Sequence, residues 1–63
     1  MKDEMIKNKL GDLEMQLEWF DSIDAIQDKI HEISVLMEGN ENKKLQNKFD
    51  NLIKYFRKTY LGM

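Results

Sequence analysis

Carboxylates are the commonest chemically active groups in this 63-residue chain, which carries twelve Asp and Glu, ten Lys and Arg, and one histidine. Several acids stand four apart: Glu14 with Glu18, Asp24 with Asp28, and Asp28 with Glu32. On a helix that spacing puts a pair on one face, as carboxylate acid–base work or cation binding would need. Such work also needs a carboxyl whose ionisation is displaced by burial, and a chain this short has little core to bury one in. His31 stands alone and cysteine is absent, so thiolate or histidine-rich metal sites and cysteine nucleophiles are excluded. Ser22 and Ser34 lack an adjacent base, and no glycine-rich phosphate loop, HExxH or GxSxG motif occurs. These residues point to a protein that is not an enzyme, takes no cofactor or metal, and acts by binding.

The charges are divided along the chain. Residues 1–42 hold eleven acids and four lysines, net −7, whereas residues 43–63 hold six bases and one acid, net +5. Six acids, Asp12, Glu14, Glu18, Asp21, Asp24 and Asp28, follow one another between Leu10 and Asp28 with no base among them. The simpler reading is internal complementarity, with the basic third segment antiparallel on acidic partners within the chain or across a dimer. The sharper reading is an acidic face for a basic partner, or a mimic of phosphate charge. Direct nucleic-acid binding is not expected at a sequence pI near 5.3.

The elements that position these groups are helical. Proline is absent, and apolar residues recur at spacings of three and four almost end to end. One stripe is Ile6, Leu10, Leu13, Leu17, Phe20. A second is Ile23, Ile26, Ile30, Ile33, Met37. A third is Leu45, Phe49, Leu52, Phe56, flanked by Ile53 and Tyr60. Gly39 is placed to end the second helix, and Asn40 or Asn42 to cap the third. Asp21-Ser22-Ile23-Asp24 resembles a helix start, although no glycine, proline or asparagine occurs between Asp12 and Glu38. The expected architecture is an all-α small bundle, one domain over 1–63, with segments at about 3–20, 22–38 and 42–60. The rival is one long kinked helix through the first two. No run approaches the ~20 apolar residues of a membrane span, and no signal-peptide core is visible near the start. A cytoplasmic protein is expected, and the abundance of Lys, Asn and Ile is of a kind found in low-GC bacteria and their phages.

Trp19 and Phe20 are adjacent, so they point about 100° apart on a helix. Phe20 belongs to the first stripe and Trp19, with Met15, joins the second. Burial of each against a different helix is expected. The alternative for Trp19 is an interface anchor, a role in which tryptophan is enriched. Tyr55 lies off the third stripe and can serve as a contact residue, and His31 is expected on the surface. The candidate partner-binding residues are Glu14, Glu18, Trp19, Asp21, Asp28 and Tyr55. The expected function is that of a regulator or inhibitor that forms a homodimer and occludes a protein partner through helix faces. A module that only assembles with itself is a further possibility.

Residues 23–56 also carry a resemblance. Ile23-Asp24-Ala25-Ile26-Gln27-Asp28-Lys29-Ile30 is similar to the I-E-x-L-R-x-x-M pattern, and Gln46-Asn47-Lys48-Phe49-Asp50-Asn51-Leu52-Ile53 to the S-Q-E-L-D-x-L-I pattern. Both belong to the small helical-hairpin phosphatases of sporulation response regulators. Asp50, Leu52 and Ile53 match identically. The resemblance implies a surface that docks a phosphorylated receiver domain, with Asp50 as the active-site residue carried over.

Overall fold

Four side chains at spacings of four, three and four, Ile6, Leu10, Leu13 and Leu17, fall on one face of a helix, and all four are buried. The computed structural model describes residues 2–62. The helices are Lys2–Glu18 (α1), Ile23–Met37 (α2) and Lys43–Phe56 (α3). α3 runs on directly into a wider π-helical turn at Arg57–Leu61, closed by Gly62 in the left-handed region at φ +69°. The core is completed by Ile26 and Ile33 of α2 and by Leu45, Phe49 and Phe56 of α3. Each such side chain contributes roughly 1.5–3 kcal/mol by leaving water. α1 packs on both other helices, while α2 and α3 approach one another closely at few points. α1 is therefore the wall that the other two share.

Polar bonds set the relative directions. Asp3, in the first turn of α1, accepts hydrogen bonds from Asn40 Nδ2 at 2.7 Å and Asn42 Nδ2 at 3.3 Å, in the loop before α3. At the other end the Tyr60 hydroxyl donates to the Leu17 carbonyl oxygen at 2.6 Å. α3 thus runs parallel to α1, and α2 runs antiparallel to both. Across helices, Glu14 of α1 pairs with Lys48 of α3 at 3.6 Å, and Lys9 of α1 pairs with Glu32 of α2. The basic third helix accordingly meets the acids of a parallel neighbour, not those of an antiparallel one.

The α2–α3 connection follows from its glycine. Glu38 has φ −59° and ψ 123°, Gly39 has φ +77°, and the Asn40 N–H donates to Met37 O at 2.9 Å. That is a type II turn, whose third residue must take positive φ. Asn42 then caps α3, its Oδ1 accepting from the backbone N–H groups of Lys44 and Leu45.

The α1–α2 corner has no glycine and takes another route. α1 stops at Glu18, so the continuous long helix is excluded. Phe20 adopts φ +55°, the only described non-glycine residue at positive φ. The Asp21 N–H donates to Gln16 O at 3.0 Å, the six-residue bond of a Schellman cap. Gln16 Nε2 donates to Asp21 Oδ2 at 3.1 Å, which puts a polar bond where that motif usually has an apolar contact. Asp21 Oδ1 accepts from the Ser22 N–H, and Ser22 Oγ accepts from the Ala25 N–H to start α2.

This corner corrects the expected burial. Counting in threes and fours carries Phe20 onto the core stripe only if the helix continues, and it does not. Phe20 is 72% exposed and Trp19 76% exposed. Ile23, the first residue of the second stripe, is also exposed at 41%, because it opens α2 beside the corner instead of beneath α1.

Two substitutions test this account of the backbone. A Cβ added at Gly11 meets no atom within 4 Å. Gly11→Ala in mid-α1 is expected to raise stability by about 0.5–1 kcal/mol in urea denaturation, since only backbone freedom is lost. Phe20→Gly relieves a left-handed conformation costing about 1–2 kcal/mol and forgoes an exposed aromatic contact of about the same size or less. Stability is expected to hold or rise by up to ~1 kcal/mol. A fall of more than ~2 kcal/mol would show that Phe20 is a core residue after all.

Candidate functional site

α1 is amphipathic with a second, smaller apolar set on its outer side. With the core stripe turned inward, Met5, Met15 and Trp19 point outward and are exposed. Trp19 leads directly into Phe20 at the corner. Met15, Gln16, Trp19, Phe20 and Asp21 line a shallow groove of about 390 Å³ there. Gln16 Oε1 is buried in this region without a hydrogen-bond partner among the described residues, which costs stability. A neighbouring groove of about 300 Å³ between α1 and α3 is lined by Glu14, Leu17, Glu18, Leu52 and Tyr55.

The candidate residues are thus distributed over three places. Trp19 and Asp21 share the corner groove. Glu14, Glu18 and Tyr55 share the adjoining one, with Glu14 held by Lys48. Asp28 is exposed on α2 and lines neither. Sequence reasoning left out Phe20, Met15 and Gln16 as members of the surface. The outward spacing of Met5, Met15 and Trp19 was the available signal for the methionine. Nothing in the sequence marks Phe20 as left-handed.

Behind the corner stands Tyr60. Its ring lies 5.4 Å from Phe56 and 6.0 Å from Phe20, centroid to centroid, so it links the core to the exposed aromatic. Burial, together with Tyr55 and Asp21, pushes the Tyr60 phenol above its ordinary ionisation range. The proton that donates to Leu17 is therefore retained. At the opposite end, the side-chain bonds from Asn40 and Asn42 hold the Asp3 carboxyl below its usual range, as Lys9 does for Glu32. Both carboxylates contribute stability above the unfolded carboxylate range that is lost as pH falls through their lowered values.

His31 is exposed beside a groove between α2 and α3 that also contains Ile30, Ile53, Phe56 and Arg57. Asp50 is exposed on α3, next to the buried Phe49. Among the described residues no three His, Asp or Glu side chains are grouped to hold a metal ion, and no helix is long and apolar enough to cross a membrane. No family model, curated protein or solved structure matches this chain.

Tyr60→Phe removes the bond to Leu17 while keeping the ring. The thermal midpoint at neutral pH is expected to fall by a few degrees. The contribution of a raised phenol is complete below the ordinary tyrosine range near ~10 and declines as pH rises through the folded value. Alkaline melting curves should therefore show a smaller pH-dependent loss for the variant than for the wild type. Equal losses would place the tyrosine hydroxyl in solvent.

Proposed function

We propose that this protein is a small, non-enzymatic regulator or inhibitor that binds another protein through the α1–α2 corner. The observation that carries this reading is the pair of adjacent aromatic side chains, Trp19 and Phe20, both more than two-thirds exposed. Neither is needed to close the core. Phe20 also sits in a conformation that L-residues avoid, and such strain concentrates at functional positions. Tryptophan and its apolar neighbours are the usual anchors of protein interfaces, and Met15 beside them adds an adaptable apolar surface. Glu14, Glu18 and Asp21 rim the patch, which favours a partner with basic groups around an apolar centre.

The test compares capture by immobilised wild type and by the Trp19→Ser/Phe20→Gly variant from the host lysate, with bound proteins identified by mass spectrometry. At least one protein is expected to be retained by the wild type and reduced ten-fold or more by the variant, since two anchors are removed. Met5→Ser, on the same face but distant from the corner, should leave retention intact. An identical set on wild type and double variant would remove the corner from consideration. Loss on Asp50→Ala alone would instead favour docking to a receiver domain through α3.

A further inference from the structure

We infer that the first occupant of the corner is a second copy of this chain, in a two-fold dimer that sets the corner of each copy against the α3 turn of the other. This rests on the reading of the corner as a binding surface. The C-terminal ends of α1 and α3 lie at the same end of the bundle, as the bond from Tyr60 to Leu17 shows. Three kinds of group share that end. Phe20 and Tyr60 form an aromatic seam, with Trp19 and Leu61 exposed beside it. The corner contributes the acids Glu18, Asp21 and Asp24. The turn contributes the bases Arg57 and Lys58. All five are exposed, and none is in an ion pair among the described residues.

An apolar seam flanked by exposed acids from the corner and exposed bases from the turn can be self-complementary under a two-fold rotation along the seam. The rotation places Glu18, Asp21 and Asp24 opposite the partner's Arg57 and Lys58, twice over. A dimer that matched corner to corner would oppose like charges instead. Glu18 has a further reason to favour a cation: it lies at the negative end of α1, whose last turn contains no base. The end of the bundle measures only about 18 × 16 Å across its backbone. The contact is therefore small by the standard of permanent dimers, and association belongs to the weak, exchanging class. Self-association would then cover Trp19 and compete with a foreign partner for it.

Sedimentation equilibrium over a wide concentration range, with Trp19 emission as a second readout, tests the arrangement. The wild type should rise from 7.6 kDa towards twice that mass as concentration increases, with emission shifting to the blue, and added salt should weaken the rise. Glu18→Lys/Asp24→Lys should remain monomeric, as should Arg57→Glu/Lys58→Glu, with helical circular dichroism unchanged in both. An equimolar mixture of the two variants should associate again, because reversed charges face each other across one interface. A wild type that stays monomeric at every concentration overturns the inference, as does a mixture that fails to associate. If the wild type is monomeric yet a foreign protein is still captured through Trp19 and Phe20, only the self-association is lost. If capture is also indifferent to those residues, the binding role of the corner goes with it.

Discussion

One helix face supports the whole molecule. Ile6, Leu10, Leu13 and Leu17 supply the apolar wall against which both α2 and α3 pack, and the backbones of those two helices come close to one another at few points. A chain of this size has no disulfide to assist, so the packing of a single stripe must offset most of the ordering entropy. The stripe ends at Leu17, and the chain must reverse within a few residues if α2 is to reach the same wall. The abrupt corner follows from that demand, and so does its strained residue. Glycine would satisfy the geometry at position 20, yet the chain carries phenylalanine there.

The two ends of the bundle resolve their polar groups differently. At the N-terminal end of α1, Asp3 collects two asparagine donors beside the positive end of its own helix, and Gln46 Nε2 closes the loop by donating to the Asn40 carbonyl oxygen at 2.5 Å. Donors and acceptors are matched within the chain. At the corner end, Gln16 Oε1 has no donor among the described residues, Glu18 adds negative charge to a negative helix terminus, and large aromatic surface faces water. Local conflicts gathered at one end of an otherwise consistent fold are the pattern expected where a surface is shaped by something beyond folding.

Much of this was legible in the sequence. The three stripes, the caps at Ser22 and Asn42 and the left-handed Gly39 are local signals, and local signals decide where helices start and stop. The failure at Trp19 and Phe20 has a physical cause. Apolar periodicity identifies a helical face but not the residue at which the helix ends, and a cap built on phenylalanine leaves no glycine to announce it. The parallel course of α1 and α3 was equally hidden, since it is fixed by bonds between residues 37 to 43 positions apart. Of the candidate residues, Trp19, Glu18 and Asp21 are marked by residue type and charge and lie near the corner, whereas Asp28, grouped with them by sequence proximity, is separated by the turn into α2. Tyr60 follows the third stripe by spacing, but nothing in the pattern marks the π-helical widening of the turn that carries it under the corner.

Because the residues that hold α1 in place and those that it displays at its end are different residues, changes to one set leave the other largely alone. Leu13 and Leu17 are enclosed by packing, whereas Trp19 and Phe20 are largely exposed and Phe20 meets the Tyr60 ring from within. A lineage carrying this fold could therefore alter the exposed side chains of the corner one at a time without passing through unfolded ancestors. For so small a protein, whose margin of stability leaves room for few costly substitutions, that independence widens the range of surfaces open to it.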